Sequence, residues 1–496
     1  MPLADKIVVV VFDGLRPDMV AGRMPVLEAF LRDNLWFRNA RSVFPSVTRV
    51  CTTSFATGAW PGAHGIVNNQ FHLAGHLEEG LVDTGAFAHL ARLKARAGAL
   101  VTTDSLGQRL AAAGRRMLAV HCGSAGSGLL VNHAVRDNGH RTFSVHGSDA
   151  TLTPDVTAEV LALCGTPPAD VAPKIDTVAY AGHVARRVGL AEDQADVTLV
   201  WLPEPDTAFH FCGIHSDGAA QAMAAADAAF AEILDAVTAG PHAGRTAVVA
   251  MSDHGQIATR AKVDLAAMLR SDGFAVGAEP GAATDILMTG GNMGELRPLA
   301  PSRALLRDLG QWLIERNEIG MVFADPEVVD GALSPALVHQ THLRSAELIY
   351  VMRSDTGAGP GGLPGTTLYT GGVPVGGGMH GGLNPYEMNT VLGFSLPDGR
   401  RADDDTPAAL IDIAPTLLAL LGIEDVRTGR VLPLFEPEGD PVDVEVARAE
   451  TGAFRQELRR ATVAGRSYLI DGGRAGTSRT ERTTTEGTQS AATAPQ

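Results

Sequence analysis

The sequence predicts an α/β fold with a mostly parallel central sheet, and three observations carry that reading. Residues 7–12, 197–202 and 246–251 are short, continuous, β-branched apolar runs, the pattern of strands buried on both faces. Each run delivers acidic or imidazole side chains: Asp13-Gly14 after the first, Glu204-Pro205-Asp206 after the second, Ser252-Asp253-His254-Gly255 after the third. Ligand-type residues at the carboxyl ends of buried strands are where open α/β sheets carry their sites. Helical segments separate the strands, among them an amphipathic stretch over 25–34 and an Ala-rich one over 219–237.

Taken in order, strand 7–12 ends at Asp13, and a helix over 25–34 follows. Pro45 and Ser46 then break the chain ahead of a short helix over 50–56, stopped by Gly58. Thr48 falls at the N-terminus of that helix, where free backbone N–H groups favour an anion. Taken alone, such a threonine is an ordinary helix start. Residues 70–103 are poorly patterned and read as a surface excursion. A helix over 104–113, capped by Asp104, and a strand over 117–120 come next. In the turn after strand 197–202, His210 follows Asp206 by four residues, one helical turn.

Residues 256–375 carry several short elements and glycine-rich loops, and read as a cap inserted between two parts of a core spanning 1–255 and 376–472. Gly357 to Gly362 lacks the strand-to-helix setting of a phosphate loop. Glycines flank His380 in Met379-His380-Gly381-Gly382 and let it approach another element. A strand over 390–394 and an apolar helix over 410–421 complete the core. The tail from 473 to 496 is rich in Thr, Ser, Arg and Glu and reads as disordered.

With 496 residues, 45% of them hydrophobic and 19% charged, the chain has the composition of a soluble globular protein. Its net charge of -16 argues against a general nucleic-acid surface, so a phosphate ligand needs metals and local dipoles instead. Cys51, Cys122, Cys164 and Cys212 are widely spaced and read as thiols in a reducing compartment. Neither a signal-peptide pattern nor an apolar run of membrane-spanning length is seen, which makes a cytoplasmic location the expectation.

Asp13, Thr48, Asp206, His210, Asp253, His254 and His380 together offer three carboxylates, three imidazoles and one hydroxyl. That mixture suits Zn²⁺, with Mn²⁺ the alternative, and two such ions can clamp both oxygens of an in-line displacement. The ordered pieces are Phe12-Asp13-Gly14-Leu15-Arg16-Pro17-Asp18, Phe44-Pro45-Ser46-Val47-Thr48, Thr57-Gly58 with Pro61 and His64-Gly65-Ile66, Glu204-Pro205-Asp206 with His210, Ser252-Asp253-His254-Gly255, and His380-Gly381-Gly382. As a set they resemble the alkaline phosphatase superfamily, and within it the nucleotide pyrophosphatase/phosphodiesterase branch.

The resemblance implies an alkaline-phosphatase-like three-layer sandwich with an inserted cap. It implies one metal on Asp13, Thr48, Asp253 and His254, and another on Asp206, His210 and His380. Thr48 would be the nucleophile, forming a phosphothreonine that a metal-activated water hydrolyses. Asn69 would hydrogen-bond a phosphoryl oxygen, with the backbone N–H after Thr48 as a second donor. The expected substrate is a small phosphate ester or nucleotide cleaved at a phosphodiester or phosphoanhydride. Phosphomonoesterase and phosphonate hydrolase readings, and a metal-binding scaffold without catalysis, are the alternatives. Arg49 departs from the branch, which commonly has a base-stacking aromatic residue there. Arginine can stack or neutralise a second phosphoryl charge. A sulfatase is disfavoured because no Cys-x-Pro-x-Arg occurs, and a phosphomutase because Ser46 and Ser54 are off register.

Overall fold

A computed structural model describes residues 2–191, 195–425, 429–434 and 441–476. An eight-stranded sheet forms its centre. Five neighbouring strands run parallel, in the order Thr246–Met251, Lys6–Phe12, Val197–Leu202, Met117–His121 and Arg141–Ser144. Leu392–Ser395 adds antiparallel to Thr246–Met251 and leads to Leu35–Phe37 and Ala402–Asp404 at the edge.

Strand alternation splits the core into two layers. Val9 and Val11 of the first strand face helices Thr48–Thr57, Leu106–Ala112 and Ile413–Leu420. Val8, Val10 and Phe12 face helices Pro25–Asp33, Ile175–Val184 and Asp217–Ala239. Helix, sheet and helix therefore make the three layers of an alkaline-phosphatase-like sandwich.

The register of the first strand against its neighbours, with Phe12 opposite Leu202 and Val11 opposite Met251, brings three loops to one edge of the sheet. Asp13, Asp206 and Asp253 sit in those loops. Gly14 makes the close approach possible: it has φ 74°, and a Cβ there would lie 3.0 Å from the Cβ of Asp206. Its N–H donates to Asp253 Oδ1 at 3.1 Å, and Asp206 N–H donates to Asp13 O at 3.0 Å.

Residues 257–379 build two further sheets. A five-stranded one contains Met293–Pro298 and Leu348–Met352 and packs against helix Arg303–Ile314. In the four-stranded one, Ile257–Lys262 pairs antiparallel with Gly378–Met379, Ile257 opposite Met379. That pairing carries His380 back beside His254, across more than a hundred residues of sequence.

Local expectations needed adjustment in three places. The helix expected over 104–113 runs Leu106–Ala112, and its cap is Ser105, whose hydroxyl forms a capping box with Gln108. Residues 70–103 are ordered as a hairpin, Gln70–His72 with Leu81–Asp83, and a helix, Phe87–Ala97. Strand Arg466–Arg474 closes a three-stranded sheet with Asp443–Thr451 and Phe454–Val463 and extends past the expected tail boundary at 473. The tail beyond 476 lies outside the described residues.

Candidate active site

Thr48 is the first residue of helix Thr48–Thr57, after Val47 at the cap position. Its hydroxyl lies 3.2 Å from His254 Nε2. Around it the three loops deliver the expected carboxylates, and the loop after Gly378–Met379 delivers His380. Asp13, Asp253 and His254 place one ligand atom each within 4.8 Å of one another, and so do Asp206, His254 and His380. His210 completes the second group: its Nε2 is 3.3 Å from Asp206 Oδ1 and 3.2 Å from His380 Nε2. His254 borders both groups, with its ring stacked on His380 at 3.7 Å between centroids. All seven predicted ligands are thus gathered at one place.

The tautomers are fixed by what the other ring nitrogens meet. His210 Nδ1 faces Gly378 O at 2.6 Å, His380 Nδ1 faces Ser46 O at 2.8 Å, and His254 Nδ1 faces Gly255 O at 3.2 Å. A carbonyl only accepts, so each Nδ1 carries a proton, and in the neutral ring each Nε2 presents a lone pair to the cluster. This backbone-anchored arrangement is the one metal-binding imidazoles use.

The carboxylates also fit a cation. Asp13 Oδ1 and Asp253 Oδ2 are buried and accept no hydrogen bond among the described residues. Burial, reinforced by Asp253 and Asp206, holds the Asp13 carboxyl well above the usual carboxylate range. Burial raises Asp253 too, against the pull of His254. At Asp206 burial also acts upward, but His210, His380 and His254 outweigh it and the pKa is lowered. Burial pushes His254 and His380 down to about 4, so both imidazoles are neutral near pH 7. The buried Asp13 and Asp253 and the half-buried Asp206, facing the neutral His254 and His380 and a His210 that Asp206 raises against its burial, form a donor set for divalent cations.

Two neutral donors orient the carboxylates, and the sequence reading did not find them. Trp201 Nε1 donates to Asp13 Oδ2 at 2.9 Å, and Gln256 Nε2 donates to Asp206 Oδ1. Both residues are fully buried. Gln256 directly follows Asp253-His254-Gly255, which was the one available signal. Trp201 sits inside an apolar strand and gave none. His121 stacks on the Trp201 indole at 5.3 Å between centroids. Ser46 holds the His380 loop in place, donating to Gly382 O at 3.0 Å and accepting from Gly381 N–H at 3.1 Å.

One expectation is corrected. The backbone N–H after Thr48 is not free for a phosphoryl oxygen, because Arg49 N–H donates to Asn69 Oδ1 at 3.0 Å. That bond orients Asn69 instead. Its Oδ1 is occupied, and its Nδ2 makes no hydrogen bond among the described residues. His64, buried outside the cluster, bonds Ser54 Oγ at 2.9 Å and accepts from Ile66 N–H at 3.1 Å.

A threonine hydroxyl beside two clusters of candidate divalent-metal donors, at the carboxyl edge of a parallel sheet, fits one class: a metal-dependent phosphoric ester hydrolase of the alkaline phosphatase superfamily. Residues 7–307 match the sequence profile of the type I phosphodiesterase / nucleotide pyrophosphatase family, and the chain belongs to that family. Among solved structures it is similar to murine ectonucleotide pyrophosphatase/phosphodiesterase 5, in an inactive form complexed with AMP. That match has a TM-score of 0.61 and 14% identity, over 86% of this chain and 97% of that one. A second structure of the murine protein gives a TM-score of 0.60 at the same identity and coverage. A sequence search of curated proteins returned no match.

Proposed function

We propose that the protein is a two-metal phosphodiesterase or nucleotide pyrophosphatase that works through Thr48. The convergence of three imidazole Nε2 atoms and three carboxylates beside the Thr48 hydroxyl is the observation that carries this reading. Asp13, Thr48, Asp253 and His254 would hold one divalent cation, and Asp206, His210 and His380 the other, Zn²⁺ best and Mn²⁺ next. Such a pair, when bound, lowers the pKa of a coordinated hydroxyl and offsets negative charge at phosphorus.

The chain's own residues do the rest. Thr48 Oγ1 gives its proton to solvent water and attacks phosphorus; an O–P bond forms as the bond to the leaving oxygen breaks, and that oxygen departs with the electron pair and is protonated from water. With a diester, the threonine then carries a phosphoryl group that keeps one ester substituent. Water next adds to phosphorus, the O–P bond to Thr48 breaks, and the hydroxyl is restored. Asn69 Nδ2 donates to a non-bridging oxygen through both steps. Residues 256–375 serve as the cap: Glu295, on strand Met293–Pro298, accepts from Asn68 Nδ2 at 3.0 Å, and Asn68 Oδ1 accepts from Asn69 N–H at 2.8 Å. The substrate is a small phosphate ester or nucleotide, in line with the AMP held by the murine relative. Four unpaired cysteines support a reducing, cytoplasmic setting.

Release of p-nitrophenol from bis-p-nitrophenyl phosphate tests the reading. Turnover should vanish with a chelator and return with Zn²⁺. Turnover indifferent to the chelator would contradict it.

A further inference from the structure

Arg49 follows the nucleophile directly, and its guanidinium lies along the wall that carries Asn69. Its Nε faces Thr84 Oγ1 at 3.4 Å, and Thr84 in turn donates to Asn69 O through its hydroxyl at 2.7 Å. Its Nη2 is 3.5 Å from Asp83 Oδ1. Nη1 has no hydrogen-bond partner among the described residues. The side chain is 19% exposed and that of Asp83 35%. Asp83 is itself held, because Gly85 N–H donates to its Oδ1 at 2.8 Å and its own N–H donates to His89 Nδ1 at 3.0 Å. A fixed carboxylate therefore stands behind a cation that borders the phosphoryl site.

We propose that Asp83 is a specificity-determining residue: by cancelling most of the Arg49 charge it keeps the site from favouring a dianionic phosphoryl group. The substrate class that follows is a monoanionic phosphoryl centre, a diester or an internal phosphoanhydride. The inference rests on the two-metal reading above and deepens it. The physical basis is differential. A monoester dianion feels twice the potential that a diester monoanion feels at the same point, so any change in local charge moves the two unequally. Arg49 alone would draw the dianion, as cations beside phosphate sites do. Paired with Asp83 at 3.5 Å, it presents a dipole whose field falls off faster than that of a free charge. Its remaining N–H groups can still hydrogen-bond a substituent of the substrate.

The test uses the zinc-loaded full chain in three forms: wild type, Asp83→Asn and Arg49→Ala. Asparagine keeps an oxygen for the Gly85 N–H, so the turn is preserved while the charge is lost. kcat/KM is measured for p-nitrophenyl phosphate and for its bis ester, and the affinity for inorganic phosphate is measured by calorimetry. Asp83→Asn should raise the monoester-to-diester ratio about tenfold and tighten phosphate binding. Arg49→Ala should lower the ratio and weaken phosphate binding. A ratio and a phosphate affinity that Asp83→Asn leaves within about twofold of wild type would overturn the proposal. So would a shift in the same direction in both variants. A purely structural role for Asp83 changes both substrates alike and leaves the ratio fixed. Chelator-insensitive turnover by the wild type would count against the two-metal reading alone, while the phosphate arm reads the Arg49–Asp83 pair whatever the protein turns over.

Discussion

Trp201→Phe removes one hydrogen bond from the interior of the proposed metal site and leaves an aromatic ring in its place. The indole N–H donates to Asp13 Oδ2 at 2.9 Å, both groups are buried, and Asp13 Oδ1 has no hydrogen-bond partner among the described residues. A hydrogen bond to a charged acceptor contributes about 1.5–3 kcal/mol net, and its loss here leaves a buried carboxylate with less support. Asp13 already titrates high because of burial and its acidic neighbours, and losing the donor raises it further. A proton then competes better with the cation. Outer-layer partners of this kind shift metal affinity by about 10–100-fold. The assay is Zn²⁺ competition against a chromophoric chelator, with a thermal melt of the metal-free protein alongside. Trp201→Phe should weaken one of two Zn²⁺ affinities by that factor and leave the other, at Asp206, close to wild type. Affinities that stay within about threefold of wild type at both sites, in a variant that remains folded, would show that Trp201 only packs.

His380→Ala should lower the metal content from about two ions per chain to about one, because Asp206 and His210 alone leave a cation under-coordinated; plasma emission analysis that still finds two would remove His380 from the ligand set. Burial pushes Glu295 up to about 7, with Arg297 and the Asn68 hydrogen bond pulling against it. A carboxyl whose folded pKa exceeds its unfolded one stabilises the fold below the unfolded value, and that stability is lost as pH rises from about 4.5 through about 7. Urea titrations at pH values across that window should show Glu295→Gln losing a decline on the order of 3 kcal/mol that the wild type shows, and parallel profiles would refute it.

Much of the scaffold was legible because its driving force is local. Strands Val197–Leu202 and Thr246–Met251 are mostly apolar runs of six residues, short for a buried helix and bounded by breakers, which is the pattern of a strand covered on both faces. Asp13, Asp206 and Asp253 could be placed because strand ends point at sites, and the order of motifs supplied Thr48 and His380. What stayed hidden depends on long-range partners. Trp201 and Asp13 are separated by 188 positions, and Gln256 and Asp206 by 50. The sheet over 443–474 escaped notice because strand Asp443–Thr451 is largely exposed and its short alternation changes phase between Val446 and Ala447. Ser105 displaced Asp104 as a helix cap by one position, a choice made by the reciprocal bond to Gln108.

The central claim is that Thr48 Oγ1, 3.2 Å from His254 Nε2, becomes covalently bonded to phosphorus during turnover. Acid quenching of the zinc-loaded enzyme during steady-state hydrolysis of bis-p-nitrophenyl phosphate, followed by peptide mass spectrometry, reads this directly. The account predicts a p-nitrophenylphosphoryl group on Thr48 in the wild type, and in Thr48→Ala no adduct and a loss of at least about a thousandfold in kcat. An adduct on another residue, or Thr48→Ala turning over near the wild-type rate, would contradict it and point to direct attack by water.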